Sequence, residues 1–153
     1  MLDDKFKKVL KFIFFVVGIK EIKWAVVGSV NLVLHGIDIE PKDINIVTDA
    51  KGIRVFQELF SNHVKEPFKQ EENITHTGNI EKLILEIEGV KVQVIGEPDD
   101  GLYMKRLSRV FIDLDGFNIP CASMRTEKEA YIEAGMHGKA ELIAAKNPSN
   151  QAN

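Results

Sequence analysis

The chain has 153 residues, 44% hydrophobic and 28% charged, with 20 basic side chains against 23 acidic ones. A chain of that length is expected to form one domain and to bury roughly two-thirds of its unfolded surface, and its near-balanced charge does not by itself point to a nucleic-acid partner, a local basic patch aside. One cysteine, Cys121, excludes an intramolecular disulfide and any Cys-x-x-Cys metal or redox pair, which fits a cytoplasmic setting.

In chain order, Phe6, Val9, Leu10, Ile13, Phe14 and Val17 recur at helical spacing between lysines, and Gly18 marks a stop, so residues 3–18 are read as an amphipathic helix. The apolar run 12–19 overlapping it is too short for a membrane span, which needs about 20 residues, and no small-residue cleavage site follows it. Trp24-Ala25-Val26-Val27 reads as a strand, and Ser29 opens a brief helix through Leu32, Val33 and Leu34 to Gly36. The loop 37–42 carries Pro41 and delivers a second strand at 43–47, and residues 52–62 form a helix over the sheet.

The stretch 69–73 is acidic and polar and is expected to be a surface loop. Residues 83–87 and 90–95 flank Glu88-Gly89, a two-residue hairpin turn. A short helix is expected over 102–110, bearing Lys105, Arg106 and Arg109. A last strand runs through Phe117, Ile119 and Cys121, with Pro120 confining it to a sheet edge. Two helices at 124–134 and 139–146 follow, separated by Gly135 and Gly138. Strands interrupted by helices, with a central hairpin, imply an α+β domain over residues 1–146: a mixed sheet with helices packed mainly on one side. The polar tail 147–153 is expected to be disordered.

The most informative stretch is Val26-Val27-Gly28-Ser29-Val30 together with Asp43-Ile44-Asn45-Ile46-Val47. An apolar strand breaking into a helix at Gly-Ser allows close backbone approach, and the serine can cap the helix while amide donors stay free, a seat for phosphate. In the second segment, period-2 alternation puts Asp43 and Asn45 on one face and Ile44 and Ile46 on the other. Without that segment, Gly28-Ser29 reads as an ordinary strand-to-helix turn, and Asp43 alone as an acid at a loop end.

Gly-Ser after an apolar strand, a gap over residues 30–42, then Asp-apolar-x-apolar resembles the signature of the nucleotidyltransferase superfamily, the polymerase-beta-like palm. The surrounding text, with His35-Gly36 and Pro41-Lys42-Asp43-Ile44-Asn45-Ile46-Val47-Thr48-Asp49, is similar to small stand-alone members such as aminoglycoside nucleotidyltransferases and AbiEii-type toxins. The resemblance runs from Trp24 to Ile95 and continues more loosely through Ile119-Pro120, Ala130-Tyr131, Gly135 and Lys139-Ala140.

The resemblance implies transfer of a nucleoside monophosphate from an NTP, with Mg2+ held by carboxylates and with Gly28, Ser29 and Lys42 binding the nucleotide. Magnesium takes hard oxygen ligands, and the family supplies three carboxylates: two in the Asp-x-Asp strand and one on a later strand. Carried onto this chain, the first falls on Asp43, the second on Asn45 and the third on Gln93. The catalytic candidates are therefore Asp43, Asn45 and Gln93, but only Asp43 keeps its charge. An amide oxygen is a weaker neutral ligand, so transfer is expected to be impaired or absent, while nucleotide binding through Gly28 and Ser29 survives.

The alternatives to an impaired enzyme are a silent nucleotide binder and a protein-interaction module, a homodimer or a component of a toxin-antitoxin pair. His35 reads as a helix-end residue satisfied by a carbonyl, and His63, His76 and His137 as surface residues without ligand spacing. Lys105, Arg106, Arg109 and Arg125 read as a solvated face, Thr48 and Asp49 as turn or pocket border, and Met124 and Met136 as core. Ser29 lacks the Gly-x-Ser-x-Gly setting of a hydrolase nucleophile.

Overall fold

The computed structural model describes residues 2–73 and 78–146. Helix α1 (Asp4–Val17) leads into strand β1 (Trp24–Val27), helix α2 (Gly28–Leu34), strand β2 (Ile44–Asp49) and helix α3 (Ala50–Leu59). Strands β3 (Val64–Asn73), β4 (Gly78–Ile87) and β5 (Val90–Glu97) follow, then the hairpin β6 (Arg109–Leu114) and β7 (Phe117–Ala122), and the closing helices α4 (Met124–Glu133) and α5 (His137–Lys146). The described strands make one mixed sheet in the order β3-β4-β5-β2-β1-β7-β6. The β2–β5 and β1–β7 pairs are parallel and the rest antiparallel.

Local chemistry explains the element ends. Asp3 caps α1 by accepting from the Lys5 N–H at 3.0 Å, and Asp49 caps α3 by accepting from the Gly52 N–H at 2.7 Å. Glu88 and Gly89 both adopt positive φ, 52° and 75°, which matches a two-residue turn to the twist of β4 and β5.

The larger core lies on one sheet face, where Val9, Leu10 and Ile13 of α1 and Ile53 and Phe56 of α3 pack with Ile44, Ile46, Leu83, Leu85, Val92 and Val94. A smaller cluster covers the other face over β1, joining Ala25, Val27 and Val47 to Leu102, Tyr103, Met104 and Ala130. A third ties α5 to α4 and α2 through Leu32, Tyr131, Ala140 and Ile143. Among the described residues no helix is long and apolar enough to cross a membrane.

Several sequence expectations need correction. Residues 69–73 are not a loop but part of β3, an edge strand paired with β4. Its charged side chains suit an edge, where one side of the strand has no neighbour, and Pro67 falls at a register shift between Glu66 and Lys69. Residues 102–110 are not a helix. A single 3-10 turn at Met104–Arg106 gives way to β6, whose alternation continues into the turn at Asp115-Gly116.

Strand β7 is internal rather than at an edge, lying between β1 and β6. It tolerates Pro120 because its pairing with β1 is brief, Val26 opposite Cys121. Gly138 lies inside α5 rather than before it. The expectations for residues 147–153 and for His76 fall outside the described residues.

Candidate active site

The site is built where β1 turns into α2. Gly28 makes that turn at φ 77°, a conformation glycine adopts without strain, and a Cβ there would lie 3.1 Å from Asn45 Nδ2. Pairing does the rest: Val27 stands opposite Asn45 across the antiparallel β1–β2 ladder, and Asn45 stands beside Gln93 in the parallel β2–β5 ladder. Ile44 and Ile46 point the other way into the core and are fully buried, so the alternation expected for this strand holds.

These residues border a pocket of ≈ 250 Å³, lined by Gly28, Ser29, Asn45 and Gln93 together with Tyr103, Tyr131, Met136 and Lys139. Asp43 sits just before the first residue of β2, half-buried, and does not line the pocket. Lys42 is exposed and borders a different groove with Asp3, Lys5 and Glu40. Of the six residues proposed for the site, the structure therefore gathers Gly28, Ser29, Asn45 and Gln93, and leaves Asp43 and Lys42 outside the lining.

The helix-capping role expected of Ser29 is not seen. Val27 occupies the N-cap of α2, and no side chain caps it. The Gly28 N–H is also not free, because it donates to Glu127 Oε1 at 2.8 Å. Sequence reading missed Glu127. This fully buried carboxyl of α4 also accepts from Asn31 Nδ2 at 2.9 Å and from the Tyr103 hydroxyl. Burial pushes its pKa up, against the lowering effect of these donors. Burial, with Glu127 beside it, likewise pushes the Tyr103 hydroxyl well up.

A second missed acid, buried Glu97 at the end of β5, accepts from the Tyr103 and Met104 N–H groups, each at 2.9 Å. Glu97 and Glu127 thus fix Tyr103 at the pocket, one through its backbone and one through its hydroxyl. The signal for Glu127 in the sequence was slight. It lies one turn along from the N-cap Ser123, on the buried face shared with Thr126, Ala130 and Tyr131, but in a run that reads as charged.

The other candidates fall into structural roles. His35 Nδ1 lies 2.9 Å from the Asn31 carbonyl, as expected of a helix-end histidine, and burial lowers its pKa. His63 packs edge-on against Phe12 and Phe60. Lys105 and Arg106 pair with Glu133, and Arg125 with Glu129. Arg109 lies over the Phe111 ring. Thr48 donates to the Lys23 carbonyl at 2.8 Å. Cys121 is buried, and its thiol is pushed up to about 12 by that burial.

A mixed sheet with a Gly-Ser turn at the end of β1, facing neighbouring positions on β2 and β5, defines the palm of a nucleotidyltransferase. The chain belongs to the aminoglycoside-2''-adenylyltransferase family, whose profile matches residues 9–143. Among solved structures it is similar to TM1012 of Thermotoga maritima, assigned provisionally as a nucleotidyltransferase, with 25% identity and a TM-score of 0.78 over 98% of this chain and 97% of that one. The antibiotic-resistance factor ANT(2'')-Ia shares the fold at 10% identity and a TM-score of 0.62, over 95% of this chain and 85% of that one. So does an antigenic nucleotidyltransferase-like protein of Paracoccidioides brasiliensis, at 15% identity and 0.54, over 94% of this chain and 77% of that one. Comparison with curated proteins by sequence finds no match.

The paired magnesium ions implied by the resemblance do not fit the residues present. Two divalent cations need several anionic oxygens at short range. The pocket instead offers the neutral amides of Asn45 and Gln93, with Asp43 outside its lining. Among the described residues no group of three or more His, Cys, Asp or Glu side chains is placed to hold a metal. Glu127 is no substitute, since its oxygens are already engaged by Gly28, Asn31 and Tyr103.

Proposed function

We propose that this family member binds a nucleoside triphosphate in the pocket between the Gly28 turn and α5, and that it transfers nucleotide at a strongly reduced rate or not at all. The observation that carries this reading is the pairing of Asn45 with Gln93 on adjacent strands. In-line nucleotidyl transfer develops charge on the attacking and leaving oxygens, and metal ions held by carboxylates neutralise it. Two amides keep the shape of that site and remove its charge.

Binding has less to lose from the substitution. The loss of anions at these two positions lowers repulsion toward a triphosphate, and the pocket keeps a hydroxyl, two amides and a lysine. ATP is the first nucleotide to test, because the family is named for adenylyl transfer. Calorimetric titration of each nucleoside triphosphate into the protein is expected to give saturable binding, reduced by Ser29→Trp, which fills the pocket. No heat with any of them, in the presence or absence of magnesium, would remove the nucleotide from this account.

A further inference from the structure

The residues that close the pocket from the helical side are absorbed neither by the palm motif nor by the metal chemistry of the family. Lys139, from the first turn of α5, contributes the pocket's one formal charge. Its ammonium lies 5.7 Å from the centroid of the Tyr131 ring and enters no ion pair among the described residues. Tyr131 lines the same pocket and is 3% exposed, and its buried hydroxyl has no hydrogen-bond partner among the described residues. Buried polar groups are ordinarily paired, and an orphan in a pocket lining points to a ligand atom that pairs it.

The same lining holds the Ser29 hydroxyl and the amides of Asn45 and Gln93, with no carboxylate among the described residues that form it. Lys139 is electrostatically linked to Glu127, whose oxygens are engaged by other donors and which does not line the space. We infer that this pocket holds a polyphosphate group directly, through Lys139 and Tyr131 and without a divalent cation. The inference rests on the nucleotide reading only for what the polyphosphate is attached to.

Charge complementarity decides the matter of the cation. Where carboxylates line a site, a triphosphate enters only with metal ions between the two sets of anions. Here one cation of the protein faces amide dipoles, so the free polyanion is the better match. Complexing it with magnesium lowers its negative charge and brings a second cation toward Lys139. Magnesium therefore leaves binding unchanged or weakens it, the reverse of what a carboxylate palm requires. Tyr131, whose hydroxyl burial keeps protonated, serves as a donor to a phosphate oxygen.

The test is calorimetric titration of tripolyphosphate and of ATP into the full chain in EDTA, repeated in excess magnesium. Both ligands are expected to bind in EDTA. Lys139→Met should weaken binding about ten- to a hundredfold, the loss of one charge-assisted hydrogen bond, and Tyr131→Phe about two- to tenfold. Lys139→Arg keeps the charge and should bind within a few-fold of the native chain, which separates charge loss from misfolding.

ATP bound only with magnesium, or equal binding by Lys139→Met, would overturn the metal-free site and leave the nucleotide reading standing. Tripolyphosphate bound through Lys139 while every nucleotide is excluded would uphold the anion site and remove the nucleotide. No binding of either ligand in EDTA would overturn the inference outright.

Discussion

Replacing Glu127 with alanine is expected to cost about 3–5 kcal/mol of folding stability. The carboxyl is the common acceptor for the Gly28 N–H, the Asn31 amide and the Tyr103 hydroxyl. Its removal leaves those donors facing a cavity. The damage also reaches the pocket, since Gly28 and Tyr103 both line it.

Glu127→Gln should cost only about 1 kcal/mol. Its oxygen can accept from Gly28 and Asn31, while its nitrogen donates to the Tyr103 oxygen. The pair also differ in pH dependence. Burial holds the Glu127 pKa above its ordinary value in the fold, so the native state binds this proton more tightly than the unfolded chain does. That contribution is full below the ordinary carboxyl pKa and is lost as pH rises through the folded value. Urea unfolding across pH should therefore show the native chain losing stability relative to Glu127→Gln above pH 4.5, the ordinary value. A difference that stays constant with pH would contradict a buried, proton-retaining carboxyl.

The second large effect is a gain. Asn45→Asp with Gln93→Glu changes charge at two neighbouring positions of the β2–β5 ladder with little change of shape. Without metal, two like charges side by side should destabilise the fold by about 1 kcal/mol. With metal, the pair becomes a hard-oxygen site, and manganese at a hundred times its dissociation constant should add about 2.7 kcal/mol of stability. Thermal unfolding with and without Mn2+ should show a clear rise for the double variant and almost none for the native chain. An equal rise in both would mean that the native amides, or Asp43, already hold the ion.

Much of the site was legible because strand alternation is a strong local signal. The apolar run into Gly28, the alternation of Ile44 and Ile46 against Asn45, and the Glu88-Gly89 turn each fix their element without help from the rest of the chain. Gln93 could be placed from the alternation of its own strand, and its register beside Asn45 follows from the parallel pairing of β2 and β5. Strands β3 and β6 were missed because they lie at the sheet edges, where exposed charges such as Lys69, Glu72, Arg109 and Asp113 mask the alternation.

The helical half of the pocket was illegible for a different reason. Tyr131 and Lys139 carry only a loose resemblance in the linear sequence and Glu127 sits there among other charges; they come together only when α4 and α5 pack against α2. Asp43 shows the converse. Its motif position is clear, but β2 begins one residue after it, and the pocket lining starts at Asn45.

The central claim, that the palm retains its nucleotide pocket but has lost the charge that drives transfer, is tested most directly by an alpha-labelled nucleoside triphosphate. The native chain and the Asn45→Asp, Gln93→Glu variant would be incubated with it, magnesium and a panel of acceptors that includes an aminoglycoside. The account predicts that the native chain transfers label at a strongly reduced rate or not at all, far below an ordinary enzymatic turnover. Transfer by the native chain at an ordinary enzymatic rate, on the order of 1 per second or more, would contradict it.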